Sequence, residues 1–181
     1  MTARRPLAGL AADLARLDAE ELPFLVQLDV RIGTGAATTL GFPLDAMGFP
    51  LEPNTTASTS WRDTLWLGPD EWLVVAESDQ PELLAEQLEE ELGRALARVH
   101  HSIVDVSAAR AILDLRGPAR LERLAIACPL DLHPRSWGPG RCAQTVFGAA
   151  PVLLHERPDA TRVFVRPSFA GYVIALLDSP V

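Results

Sequence analysis

Sulfur is scarce in this chain, and positive charge is nowhere concentrated. Two cysteines, Cys128 and Cys142, stand fourteen positions apart and form no CxxC pair. A disulfide framework has too few members here, and a reduced, cytoplasmic compartment is expected. A zinc centre would need further ligands from His100, His101, His133 and His155, and these are scattered. No stretch approaches the ~20 apolar residues of a membrane span. The best candidate, Leu7 to Leu17, is an amphipathic helix interrupted by Asp13 and Arg16. Met1 to Pro6 carries Arg4 and Arg5 with no long apolar run behind them, so no secretory signal is expected. With 16 basic against 24 acidic residues the net charge is −8. Nucleic-acid binding draws its affinity from clustered Lys and Arg that displace counterions, and the nearest approach to a basic patch is Arg4-Arg5 at a fraying terminus. Neither nucleic acid nor membrane is an expected partner.

Catalytic signatures are missing as well. There is no GxSxG elbow, Walker loop or HExxH. Gly33-Thr34-Gly35 is half a dinucleotide fingerprint with no third glycine, and reads as a turn. Adjacent His100 and His101 on an extended segment would point to opposite faces, so they read as a surface pair.

What the chain does have is an ordinary globular make-up, 48% apolar and 22% charged over 181 residues. That suffices for one domain or two small lobes. Phe24 to Ile32 is β-rich. Gly41 to Thr59 carries Pro43, Pro50 and Pro53 and is expected to be a long exposed connection, because proline breaks a central strand. Ser58 to Leu67 and Trp72 to Glu77 flank Gly68-Pro69-Asp70-Glu71, which predicts a hairpin. Pro81 at a helix start, with Asp79 as a cap, leads into Leu83, Leu84, Leu88, Leu92 and Leu96 at helical spacing. The glutamates between them mark a solvated face. Ile103 to Val106 and Ala111 to Arg116 read as strands, and Gly117-Pro118 opens a helix through Ala127. Leu130 to Gly140 is a loop. Cys142 to Phe147 and Val152 to Glu156 form a hairpin, Arg162 to Arg166 is a strand, and Ser168 caps a last helix through Leu177. Strands cluster as hairpins among four helices. This predicts an α+β fold of two ferredoxin-like lobes, with mixed or antiparallel sheets covered by helices. The expected division is a helical segment over residues 1–23, a lobe over 24–98 and a lobe over 99–181, sharing one core.

A few side chains invite a chemical reading. Asp105 precedes Ser107 in an apolar strand, as a buried general base would. The alternative is an acceptor of backbone hydrogen bonds or a partner for Arg110. Asp131 suits a turn. Cys142 beside Arg141 could have a depressed pKa, but as the second residue of a strand it suits packing better. Arg110, Arg116, Arg135, Arg141 and Arg166 accompany Trp137 in the second half, and Trp61, Trp66 and Trp72 crowd one hairpin. Arginine and tryptophan are enriched in interface hot spots. Two loops are therefore expected to meet a partner: Gly41 to Thr59 with Phe42 and Phe49, and Leu132 to Gly140 with Arg135 and Trp137.

Several segments carry a family resemblance. They are Val104-Asp105-Val106-Ser107-Ala108-Ala109-Arg110 running into Ile112 to Ala119, the LGPDEW turn at Leu67 to Trp72, Cys128-Pro129-Leu130-Asp131-Leu132-His133-Pro134, Arg141-Cys142-Ala143-Gln144-Thr145, and Arg166-Pro167-Ser168-Phe169. Together they resemble the gamma subunit of heterotetrameric sarcosine oxidase, over roughly Phe24 to Leu177. The resemblance implies the folate-binding fold of the glycine-cleavage aminomethyltransferase and a non-catalytic role. The chain would support oxidation of sarcosine to glycine with release of hydrogen peroxide and, with tetrahydrofolate, formation of 5,10-methylenetetrahydrofolate. It implies no cofactor in this chain. FAD, FMN, NAD, zinc and tetrahydrofolate would belong to the partner alpha, beta and delta subunits. The alternative is a stand-alone folate-binding or aminomethyltransferase-like module. A complete aminomethyltransferase has a C-terminal barrel not found here. The folate-binding proteins linked to iron–sulfur assembly carry a Lys-Gly-Cys-aromatic-x-Gly-Gln signature that Gly140 to Thr145 does not reproduce.

Overall fold

The computed structural model describes residues 7–22, 24–33 and 44–179. The chain divides into two compact units. One is Phe24–Ala108; the other joins the stretch before it to the stretch from Ala109 onward.

The central unit is built on a five-stranded sheet. Its strands are β2 (Val26–Ile32), β3 (Thr56–Ser58), β4 (Arg62–Gly68), β5 (Glu71–Ala76) and β6 (His101–Asp105), in the order β3-β4-β5-β2-β6. Every described pairing is antiparallel. The run β6-β2-β5-β4 has the fourth-first-third-second order of a ferredoxin-like lobe, with β3 added at one edge. The β4–β5 hairpin turns where sequence placed it, with a register irregularity between Trp66 and Gly68. One face of the sheet holds Val26, Leu28, Val30, Trp72, Val74 and Ala76. Alternation along each strand puts these side chains on one side. Against them packs α2 (Pro81–Ala95), whose Ala85, Leu88 and Leu92 form its buried stripe. Pro81 occupies the first turn as expected, where its missing amide costs nothing. Gln80, not Asp79, holds the cap position, and no side chain caps it.

The other unit has a five-stranded sheet ordered β1-β7-β10-β9-β8. Its strands are β1 (Ala19–Glu21), β7 (Ala111–Leu115), β8 (Cys142–Phe147), β9 (Ala150–Glu156) and β10 (Thr161–Val165), again antiparallel throughout. Here β8, β9 and β10 form a meander, and β7 lies beside β10, which is not a ferredoxin-like order. Only the central unit meets that expectation. The helices are α1 (Ala11–Arg16), α3 (Arg120–Ala125) and α4 (Pro167–Leu177). Leu14, Leu124, Ala170, Val173, Ile174 and Leu177 join Leu113, Leu115, Leu154, Val163 and Val165 in the core of this unit. Pro167 opens α4 with Arg166 at the cap position, so Ser168 is not the cap.

Two boundaries depart from the sequence reading. The seam falls after Ala108, not near Arg98 to His100, because β6 pairs with β2 and closes the central sheet. The N-terminal stretch is no appendage. Its β1 pairs with β7, Leu22 N–H donates to Ile112 O at 3.0 Å, and Arg116 N–H donates to Asp18 O at 2.8 Å. Asp18 (φ 52°) and Gly117 (φ 73°) face each other there, and a Cβ on Gly117 would lie 2.7 Å from the Asp18 carboxylate, so the corner requires glycine.

Candidate partner-binding surface

The loop from Cys128 to Gly140 is organised by Asp131. Its Oδ1 accepts from His133 N–H at 3.0 Å and its Oδ2 from Ser136 Oγ at 2.6 Å. The Ser136 hydroxyl, followed by the His133 amide, holds the Asp131 carboxyl below its usual value. Asp131 is thus a turn former, as expected. Within the loop, Trp137 N–H donates to His133 O at 2.9 Å, and Arg135 N–H donates to His133 Nδ1 at 3.2 Å. The Arg135 side chain is exposed.

Trp137 is not. It is 6% exposed, and its indole Nε1 donates to Glu156 Oε2 at 3.0 Å. Glu156 is a buried junction. Its carboxylate also accepts from Thr161 Oγ1 and, at 2.6 Å, from Arg120 on α3. Three donors compensate the carboxylate for lost water. Phe49 is likewise buried, at 1%, its ring edge-on to Trp72 with centroids 5.4 Å apart. The Trp72 indole donates to Pro50 O at 2.8 Å, and Arg62 donates to Met47 O at 3.2 Å. The connection expected to be exposed therefore folds Leu44 and Phe49 into the core, where the Met47 and Pro50 carbonyls find side-chain donors, and its far end forms the edge strand β3. Phe42 lies outside the described residues.

The remaining candidates resolve individually. Asp105 is exposed and accepts from Ser107 N–H at 2.8 Å and Ser107 Oγ at 2.5 Å. Ser107 Oγ accepts in turn from Gln27 N–H at 2.9 Å, so Asp105 fastens a short turn to β2 and no general base is built there. Cys142 and Cys128 are both buried free thiols. Arg116 is held above its usual value chiefly by its hydrogen bond to Asp159 at 3.0 Å. Trp61 is 45% exposed with Arg62 stacked 5.2 Å from its ring. Trp66 is half-buried and Trp72 buried. No group of three or more potential metal ligands occurs among the described residues. No described helix is long and apolar enough to cross a membrane.

Sequence reasoning missed one surface. Ile126, Val146 and Tyr172 are 39%, 42% and 43% exposed. Ile126 and Tyr172 flank the turn at Gly148, whose N–H donates to Ala127 O at 2.9 Å, whereas Val146 alternates with the core residue Phe147 and lies on the opposite face of the sheet. Ala149 N–H donates to Tyr172 Oη at 3.1 Å, which ties α4 to the same turn. Gly148 has φ 57°, and an added Cβ would collide with Tyr172 Oη and sit 2.9 Å from Leu176 Cδ2. Contiguous exposed apolar side chains rimmed by polar ones mark contact surfaces. Nothing in the sequence joins Ile126 to Tyr172 except the small residue that lets their elements meet.

Comparison with known proteins places the chain. Residues 37–180 match the model of the sarcosine oxidase, gamma subunit family. Among curated relatives, the sarcosine oxidase subunit gamma of Corynebacterium sp. (strain U-96) is 34% identical over 188 residues, covering 94% of this chain and 86% of that one. The same subunit from Corynebacterium sp. (strain P-1) is 33% identical over 181 residues, with the same coverage of 94% and 86%. The subunit from Arthrobacter sp. is 38% identical over 137 residues, covering 74% and 64%. Among solved structures, a chain of the heterotetrameric sarcosine oxidase from Corynebacterium sp. U-96, in complex with pyrrole 2-carboxylate, superposes with a TM-score of 0.81 at 33% identity. That match spans 98% of this chain and 93% of the other. The chain belongs to the sarcosine oxidase gamma subunit family.

Proposed function

We propose that this chain is the non-catalytic gamma subunit of a heterotetrameric sarcosine oxidase and assembles with alpha, beta and delta subunits in the cytoplasm. The complex would oxidise sarcosine to glycine with release of hydrogen peroxide and, with tetrahydrofolate, form 5,10-methylenetetrahydrofolate. FAD, FMN, NAD, zinc and tetrahydrofolate would be bound by the partner subunits, and this chain would lend a surface. Its folding units would be a divergent form of the aminomethyltransferase folate-binding fold. The observation that carries the reading is the 0.81 TM-score against a chain of a heterotetrameric oxidase over 98% of this chain. The contact surface would comprise Ile126 and Tyr172 beside the Gly148 turn and the exposed Arg135, with Phe42 as a further contact.

Co-purification tests this. A tagged copy expressed in its native host should bring down flavin-containing subunits whose preparation turns over sarcosine. The substitution Ile126→Glu should lower that recovery about tenfold or more while leaving the fold intact. A chain that is recovered alone, and that by itself binds a reduced folate at micromolar concentration, would instead be a stand-alone folate-binding module.

A further inference from the structure

The strand pair β7–β10 carries three cross-strand positions on one face, and their charges do not agree. At one end Asp114 stands opposite Arg162, joined by two hydrogen bonds of 2.8 and 3.0 Å. In the middle Ile112 stands opposite Phe164. The register, continued one residue past Val165↔Ala111, sets Arg110 opposite Arg166. Side chains alternate along a strand, so this arginine pair shares the face of Ile112 and Phe164. Like charges directly opposite each other across antiparallel strands destabilise a sheet. Arg166 also holds the cap position of α4, where the helix dipole disfavours a cation. Its side chain is exposed and makes no hydrogen bond or ion pair among the described residues.

Between these arginines lies a cavity of about 170 Å³. Its floor and walls include Leu153, Phe164 and Pro151, with Gln144 at one side, and among the described residues no carboxylate lines it. In a chain of net charge −8, an acid-free pocket with two guanidinium groups is a local reversal of sign. We propose that this pocket binds a carboxylate carrying a short apolar body. Arg166 makes the principal charge contact. Arg110, which has interactions of its own within the protein, adds to the field and can present a further N–H from its five donors. The apolar part rests on Leu153 and Phe164. An α-ammonium group would find no counter-charge in the lining, so a plain acid is preferred over the amino acid of the same skeleton. The site does not depend on the oxidase assignment.

The carboxylate can be a free small acid or an acidic side chain of another subunit, and one experiment separates them. The full-length chain is titrated with butanoate and followed by protein NMR. Saturable shifts at Leu153 and Phe164 are expected, weakened about fivefold or more by Arg166→Gln, since a neutral amide keeps hydrogen bonding but loses the charge. 2-Aminobutanoate is expected to bind correspondingly more weakly. Repeating the titration on the purified complex assigns the source. Retained binding means a free acid; binding seen in the isolated chain and blocked in the complex means a partner's carboxylate fills the pocket. The proposal is overturned if butanoate does not saturate the isolated chain, if Arg166→Gln binds it like the wild type, or if inorganic phosphate binds as tightly with the same dependence on Arg166.

Discussion

Replacing Trp137 with alanine removes a nearly buried indole from the core and one of three donors from the Glu156 carboxylate. Large-to-small substitution of a core tryptophan costs about 3–5 kcal/mol. Much of this is void, since the loop that carries Trp137 is held by its own hydrogen bonds through Asp131 and cannot simply collapse. Trp137→Phe separates the components. It keeps most of the ring but removes the N–H, leaving Glu156 with Thr161 and Arg120, and should cost about 1.5–3 kcal/mol, the range for a hydrogen bond to a charged group.

Urea unfolding followed by circular dichroism reads both. With a slope of roughly 2 kcal/mol per molar urea, a loss of about 4 kcal/mol lowers the midpoint by about 2 M. The phenylalanine variant should fall about halfway between wild type and alanine. Recovery of partner subunits, normalised to folded chain, should change little. The reasoning is refuted if Trp137→Ala unfolds within about 0.3 M of wild type while subunit recovery collapses, because Trp137 would then be a contact residue and not a structural one.

Gly148→Ala should destabilise by about 1–3 kcal/mol, through positive φ and collision with Tyr172, and Tyr172→Phe in the same chain should recover part of the loss in thermal denaturation. Arg162→Met leaves the buried Asp114 with only the longer Arg116 contact at 3.8 Å among the described residues and should cost about 3 kcal/mol, whereas the double variant Arg162→Met with Asp114→Leu should regain most of it, as buried ion pairs replaced whole usually do. The Glu71 carboxyl is raised above its usual value, first by burial and then by Asp29. The folded state therefore holds that proton more tightly, and stability falls as pH rises from the unfolded value, about 4.3, through the folded one. Glu71→Gln should accordingly raise the melting temperature at pH 7 and leave it unchanged below about pH 4, provided the half-exposed Arg31 contact contributes as little as such pairs usually do.

The elements legible in the sequence are those whose signal is local. The Gly68-Pro69-Asp70-Glu71 turn, the leucine spacing of α2 and the β8–β9 hairpin each carry their cause within a few residues. Two strands take their place from distant partners instead. Ala19–Glu21 has no alternation and two glutamates, and it is extended only because β7 offers a free edge to pair with. His101–Asp105 reads as the start of a second lobe, but its partner is β2, some seventy residues back. Antiparallel pairing at that separation leaves no mark in either strand beyond general β propensity. Placing the seam at the end of α2 followed from the same blindness.

Burial in the two proline-rich loops shows the physical limit most sharply. Proline excludes a central strand, and that inference held for Gly41 to Thr59 and Leu132 to Gly140 as far as they are described. Exposure does not follow from it. A loop can enter a core when each of its polar groups finds a partner, and those partners are distant: the Trp72 indole for Pro50 O, Arg62 for Met47 O, Glu156 for the Trp137 indole. Each is a single polar bond between residues distant in sequence, so the donor and acceptor must be found before the loop's apolar side chains can be assigned. The same asymmetry governs the exposed patch. Ile126 and Tyr172 lie on segments that look like ordinary core contributors, and they stay at the surface where the end of α3, α4 and the β8–β9 turn meet at Gly148. Whether an apolar loop residue is buried is therefore decided by the polar contacts that close around it, and Phe49 and Trp137 are buried for that reason in loops where proline content alone suggested exposure.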